Sequence, residues 1–225
     1  IQGFTVTQGA VKEPSAATDN NYGSAVYVQS TSNNRYVTLV DCDITDNAGS
    51  RGLLYFGLYV RCFIHDNLLP NGKGTATWKG ALVNCVVTRD SDGAVVTGGK
   101  AVNCTLLDFG DYNKTRNCNK IGFGRIGSES SSFYNSILLY GGATDNTIVY
   151  DHCLCRFEGN VTYKTAENCK LDANRFPCVS PMTDNYRLRE GSEALGFGDA
   201  AIIGQQIDWM PEGVDAYVDF YGNPI

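Results

Sequence analysis

Proton transfer in this chain would fall to His65, Asp66 and Arg89. They close two similar runs, Val60-Arg61-Cys62-Phe63-Ile64-His65-Asp66 and Val83-Asn84-Cys85-Val86-Val87-Thr88-Arg89. Cleaving an acidic sugar polymer by β-elimination needs a base for the proton α to the carboxylate. It also needs a cation for the enolate-like charge that follows. His65 or Arg89 would be that base, and Asp43, Asp46 or Asp66 would hold Ca²⁺ through oxygen ligands. Hydrolysis would instead need two carboxylates with a suitable gap. Asp46 and Asp66 lie one repeat apart in sequence, about 5 Å if the repeats stack in register. Asp43, Asp46, Arg61, Phe63 and Asp108 are the candidate ligand contacts on the same outward side. Tyr55, Tyr59, Phe63 and Trp78 would serve sugar stacking wherever they point outward. None of these residues forms a diagnostic motif, and asparagine stacks with solvated charges at corners account for the same pattern structurally.

These residues need a frame, and the frame is a repeat. Val40-Asp41-Cys42-Asp43-Ile44 recurs as Val60-Arg61-Cys62-Phe63-Ile64, Val83-Asn84-Cys85-Val86-Val87 and Val102-Asn103-Cys104-Thr105-Leu106. Tyr134-Asn135-Ser136-Ile137-Leu138 is a fifth copy with Ser in place of Cys. The central residues are spaced 20, 23, 19 and 32 apart. A period near 20 with one insertion is the mark of a solenoid. Positions −2, 0 and +2 are mostly apolar, which is strand periodicity with one inward face. Position −1 (Asp, Arg, Asn, Asn, Asn) reads as the outward face. Phe4 fits the Cys column with Val6 at +2, and Ala25 to Val28 supplies a further strand. Gly, Asn and Asp clusters such as Thr45-Asp46-Asn47 and His65-Asp66-Asn67 supply the turns.

Composition agrees. Hydrophobic residues are 43% and charged residues 19% of 225, which suits a folded rather than a disordered chain. The net charge of −6 has the wrong sign for phosphate contact, so no nucleic-acid partner is expected. The longest apolar run, Leu53 to Val60, contains Gly57 and is far short of the ~20 residues that cross a bilayer, so no direct membrane insertion is expected.

Nine cysteines is an odd number. Structural zinc prefers closely spaced pairs, whereas the first four cysteines follow the coil period. They read as a buried column, because parallel Cβ vectors on stacked strands do not suit a disulfide. Cys118, Cys169 and Cys178 read as loop residues and Cys153-Leu154-Cys155 as a tight pair. A disulfide among these five is left open. Gly122-Phe123-Gly124-Arg125-Ile126-Gly127 matches a nucleotide-binding spacing but lacks a following helix pattern, and reads as a glycine-rich loop.

The later chain carries two further motifs, Asn185-Tyr186-Arg187-Leu188-Arg189-Glu190-Gly191-Ser192-Glu193-Ala194-Leu195-Gly196-Phe197-Gly198-Asp199 and Asp219-Phe220-Tyr221-Gly222-Asn223-Pro224. Both resemble the C-terminal portion of secreted bacterial β-helix proteins of the choice-of-anchor Q type, within the pectin-lyase-like superfamily. Asn135-Ser136-Ile137-Leu138 looks like that family's Asn-Ser-Ile strand. Asn185, Glu193, Gly196 and Ile225 depart from the family pattern. The resemblance implies a right-handed coil and an extracellular or cell-surface location in a bacterium. It also implies that the groove along the coils is where superfamily enzymes bind polysaccharide.

The expected architecture is all-β, a right-handed parallel β-helix over 1–156 with a loop insertion at about 110–132. A C-terminal cap over 157–225 packs on it. The chain, which opens Ile-Gln-Gly-Phe, reads as starting inside something larger or at a processed end. The expected function is a monomeric, non-catalytic module that binds glycan or another surface partner along its outward face. The alternative is a polysaccharide lyase or glycoside hydrolase using His65, Asp66 and Arg89.

Overall fold

The structure is a computed structural model. It describes residues 1–10, 22–28, 37–48, 52–67, 74–88, 93–107, 125–128, 130–139, 145–157, 161–173, 178–180, 183–207 and 209–224. The chain visits three faces in a fixed order. The first circuit is β1 (Thr5–Val6) on face one, β2 (Tyr22–Tyr27) on face two and β3 (Thr38–Val40) on face three. The order repeats in β4 (Asp43–Thr45), β5 (Gly52–Tyr55) and β6 (Leu58–Val60), and again in β7 (Phe63–His65), β8 (Gly74–Trp78) and β9 (Ala81–Val83). It continues through β10 (Val86–Thr88), β11 (Gly93–Thr97), β12 (Lys100–Val102), β13 (Thr105–Leu107), β14 (Arg125–Ser128) and β15 (Ser132–Tyr134). After these, β16 (Ile137–Leu139) and β18 (Leu154–Arg156) extend face one, while β17 (Val149–Asp151) and β19 (Thr165–Glu167) extend face three. Every pairing within the three faces is parallel, so the chain is a parallel β-solenoid. Stacking runs through β19, past residue 156.

The sequence repeat is the pairing register. Asp43, Phe63, Val86, Thr105, Ile137 and Leu154 pair in succession across face one without a slip. Within the 32-residue step between Cys104 and Ser136, Arg125–Ser128 returns to face two as β14 and Ser132–Tyr134 to face three as β15. Thr5 pairs with Asp43, which sets Phe4 beside Cys42 as its column required.

The repeat is not one flat strand, as its alternation implied. It bends at position −1. Asp41, Arg61, Asn84, Asn103, Asn135, His152 and Asn168 have φ of 52, 50, 53, 53, 48, 49 and 51°. Gly3 opens the column at 70°. This is the left-handed region, which Gly, Asn and Asp enter at least cost. The preference for Asn here is therefore a backbone requirement rather than a mark of an outward strand face. Each bend joins face three to face one. It turns the −2 valines to the outside of face three and the +2 residues to the inside of face one.

The core accordingly has three columns beside this bend. Leu39, Tyr59, Leu82, Ala101, Phe133 and Tyr150 fill it from face three, and Ile44, Ile64, Val87, Leu106, Leu138 and Cys155 fill it from face one. Between them, at the corner, stand Cys42, Cys62, Cys85, Cys104 and Cys153, with Ser136 in register and Cys169 at the end. Cys153-Leu154-Cys155 is thus a corner residue followed by a core residue, and Cys169 closes the column rather than lying in a loop. Cys178 lies in a cap strand. All four of the later described cysteines are free thiols, so no disulfide joins them, and Cys118 lies outside the described residues.

The corner thiols are also hydrogen-bonded. Each donates to the carbonyl two residues back, as Cys85 Sγ does to Val83 O at 3.3 Å and Cys104 Sγ to Val102 O at 3.3 Å. Ser136 Oγ makes the same bond to Tyr134 O at 2.8 Å. The corner amide donates to the next coil's side chain: Cys62 N to Cys85 Sγ at 3.3 Å, and Cys104 N to Ser136 Oγ at 3.1 Å.

The chain after the last coil covers the outside of this same corner. The antiparallel pair β20 (Cys178–Ser180) and β21 (Asn185–Leu188) lies over face one, and α1 (Ala201–Gln206) lies over face three. Val40, Val60, Val83 and Val102 pack under Ile203, Val214 and Ala216. Each such buried side chain contributes about 1.5–3 kcal/mol.

Two predictions follow from the thiol column. Burial pushes the Cys85 and Cys153 thiols well above their ordinary range and Cys178 up to about 11. Cys62 is also raised well above it, where opposing hydrogen bonds with Cys42 (lowering) and Cys85 (raising) outrank burial. Folded-state pKa values above the unfolded ~8.5 give stability that is full below that pH and lost above it. Under reducing conditions, urea unfolding should show stability constant from pH 7 to 8 and falling from pH 8.5 to 11. The fall should be about 1.4 kcal/mol per pH unit for each buried thiol. Cys169, held low by its contact with Cys153, contributes in the opposite sense. Second, Cys104→Ser should cost under about 1 kcal/mol, because Ser136 Oγ makes the same bond to the carbonyl two residues back. Cys104→Val should cost about 0.5–1.5 kcal/mol, since it removes the thiol's bond to Val102 O while that carbonyl still accepts from Asn84 N at 3.0 Å.

Candidate functional site

His65 projects outward from the end of β7, and two carboxylates meet its ring. Its Nδ1 lies 2.8 Å from Asp66 Oδ2 and its Nε2 2.9 Å from Asp43 Oδ1. Asp43 reaches it from the preceding coil, because Asp43 pairs with Phe63 and Thr45 with His65. Phe63 stacks on the imidazole with centroids 3.9 Å apart and planes 25° apart. Asp66 stands at a second left-handed corner, with φ of 53°. Asp46 occupies the same corner one coil earlier, at 55°, and is exposed.

That second corner has its own side-chain ladder. Asn47 and Asn67 turn inward and are buried. Asn67 Oδ1 accepts from Asn47 N and Asn47 Nδ2, both at 3.0 Å, and Asn67 Nδ2 donates to Ile44 O at 2.9 Å. With the asparagines inside, the preceding aspartates are turned out.

His65 thus forms a clamp between two acids, with a carboxylate at each ring nitrogen. Asp43 and Asp66 are charged neighbours among the described residues, and Phe63 lies between the imidazole and the cap residues Tyr186 and Phe220.

Arg61 belongs to a different place. It stands at the first corner, its Nε 2.6 Å from Asp41 Oδ1 and its Nη2 3.1 Å from Asp41 Oδ2. The guanidinium holds the Asp41 carboxyl below the usual range, and the carboxylate raises Arg61 in turn. Arg61 Nη1 also donates to Asp215 O at 2.9 Å. The pair lines an open depression of about 410 Å³ together with Asp215, Val218, Phe220 and Tyr221 of the cap. Arg89 and Asp108 lie outside the described residues.

The groove expected along the outside of face one is largely filled by the chain itself. Val86, Leu107 and Leu139 are buried beneath Tyr186, Leu188, Phe220 and Tyr221. Corner asparagines secure the cover. Asn84 Nδ2 donates to Ala216 O at 2.8 Å and Val218 O at 2.7 Å. Asn135 Nδ2 donates to Asp199 O at 2.6 Å, and Asp199 N donates back to Asn135 Oδ1 at 2.9 Å.

Face two keeps an outward aromatic column. Tyr27, Tyr55 and Trp78 pair in register at the ends of β2, β5 and β8. Leu54 and Thr77, the residues before the aromatics in β5 and β8, are buried, whereas Tyr55 and Trp78 are half-buried. Tyr27 is 51% exposed. Tyr27 and Tyr55 stack with centroids 5.1 Å apart and planes 5° apart. Phe56 meets Tyr55 edge-on at 4.7 Å, and Lys79 Nζ sits 5.8 Å from the Phe56 centroid. Of the aromatic candidates in the sequence, Tyr55 and Trp78 are half-buried at the ends of their face-two strands. Tyr59 is fully buried in the core, and Phe63 is half-buried beneath the cap. Tyr27 and Phe56 escaped the sequence reading. The stretch Ala25 to Val28 was recognisable as a strand, but its pairing with Tyr55 was not.

No protein-family model, no curated protein and no solved structure matches this chain. No three acidic, His or Cys side chains are grouped to hold a metal among the described residues.

His65→Ala removes the imidazole contacts of both Asp43 and Asp66. It should lower the unfolding free energy by about 1–3 kcal/mol at pH 6. In the Asp43→Asn, Asp66→Asn double variant, the same His65→Ala change should cost under about 1 kcal/mol. Equal costs in both backgrounds, by urea titration, would refute the clamp.

Proposed function

We propose that this chain is a non-catalytic β-solenoid module of a secreted or cell-surface bacterial protein, and that it binds a linear glycan along the outward edge of face two. The observation that carries the reading is the in-register column Tyr27, Tyr55 and Trp78 on three successive coils. Each of these side chains joins an apolar ring to a polar tip, which is the combination a pyranose with its C–H face and hydroxyls requires. Stacked strands repeat about every 4.8 Å, close to the length of one sugar unit in an extended chain. A linear polymer can therefore meet the same chemistry at each step.

Two further observations favour binding over catalysis. The cap covers much of face one's outer surface, where a superfamily-type groove would lie. Both nitrogens of His65 are engaged by carboxylates. The kinship is proposed as pectin-lyase-like of the choice-of-anchor Q type. Its support is the coil architecture and the Asn185–Asp199 and Asp219–Pro224 motifs.

Affinity electrophoresis of the purified chain in gels containing xylan, galactan, mixed-linkage glucan or polygalacturonate tests the reading. Retardation is expected in at least one gel. Tyr55→Ala and Trp78→Ala should each weaken it about tenfold, matching the loss of one aromatic contact. Native-like retardation in both variants, or none for the parent chain, would sink the proposal. Release of unsaturated sugar that disappears in His65→Ala would favour the lyase instead.

A further inference from the structure

We propose that Phe56 is a ligand-contacting residue of this aromatic edge, held in a backbone conformation that its side chain disfavours; the inference rests on the glycan reading above. Phe56 has φ of 57°, and it is followed by Gly57 at 89°. A bulky residue in the left-handed region crowds its Cβ against the backbone, whereas Gly or Asn fits there cheaply. The bend is a property of the corner and not of the ring. The next two coils bend in the same way at Lys79 (φ 58°) and Gly98 (φ 61°). The amide still joins the ladder in each: Phe56 N donates to Trp78 O at 2.9 Å, and Lys79 N to Thr97 O at 2.8 Å. Gly98 shows what this corner asks for when no side chain is needed.

The Phe56 ring does not fill the core. It is only partly buried and lies outside the three buried clusters. It touches what stands at the edge, Tyr55 at an interplanar angle of 87° and the Lys79 ammonium. Tyr27 and Tyr55 spend their facing surfaces on each other. A ring perpendicular to that stack adds a second orientation of aromatic plane for the C–H face of a pyranose. Lys79 stands beside it with N–H donors for the sugar's hydroxyls. Strain retained at such a position is the kind that function sustains and stability does not.

The test separates packing from binding. Phe56→Asn relieves the left-handed strain, and Phe56→Tyr keeps the ring. Both are compared with the parent chain by thermal melting and by affinity electrophoresis in the polysaccharide that retards the parent. Phe56→Asn should melt at or above the parent midpoint and bind about fivefold or more weakly. Phe56→Tyr should bind like the parent. Parent-like affinity in Phe56→Asn, with Tyr55→Ala and Trp78→Ala still impaired, would overturn this inference and leave the glycan reading standing. A midpoint lowered by more than about 4 °C in Phe56→Asn would make the ring a packing residue and also overturn it. No retardation of the parent in any of the four gels would overturn both.

Discussion

Once per coil the chain bends to the left one residue before a buried thiol or hydroxyl, and the rest of the solenoid hangs on that bend. It takes the corner amide out of line with the strand ladder, and a buried amide without a partner is costly. The next coil's sulfur or hydroxyl accepts it, as Cys85 does for Cys62 and Ser136 for Cys104. The same atom then donates to the carbonyl two residues behind it. The column is therefore small because the corner is narrow, and polar because the corner leaves backbone groups to satisfy. A hydroxyl meets both conditions, so Ser136 stands in the column without breaking it.

The bend also decides what the outside of the molecule can do. By turning the −2 valines outward on face three, it creates an apolar surface that a solenoid alone would leave in water. The C-terminal segment covers that surface, and the side chains at the bend hold it there. Asn84 and Asn135 are chosen for a backbone angle, yet their amides reach Ala216, Val218 and Asp199. Local conformation and tertiary docking are thus served by one residue. The cover extends over face one, reaches Phe63, and so comes close to the His65 clamp.

Face two presents a different surface. There the outward column is aromatic with polar tips, and the adjoining corner carries Phe56 and Lys79 where Gly98 follows in the next coil. The molecule thereby divides its outer surface into a part spent on its own cap and a part where Tyr27 and Lys79 stay exposed.

The period of about 20, the parallel stacking, the inward +2 column and the buried first four cysteines were all legible in the sequence. Each depends on side chains repeating at one spacing, and stacking is the way such a repeat buries its narrow apolar face. The corner asparagines and aspartates were legible as turn formers, and His65 and Asp66 as neighbours. What the chain order hid is which way each column faces. Alternation of −2, 0 and +2 implies one flat strand, but the φ of about 50° at Asp41 through Asn168 splits it into two strands with opposite sides buried. Cys153 and Cys169 joined the column only once the short last coils were seen to stack. The Asp43–His65–Asp66 clamp, the covering of face one, the burial of Tyr59 and the alignment of Tyr27 with Tyr55 and Trp78 come from contacts between residues far apart in the chain. A one-dimensional repeat fixes the distance between equivalent residues, while the direction of a side chain depends on a single backbone angle that only the packed corner selects.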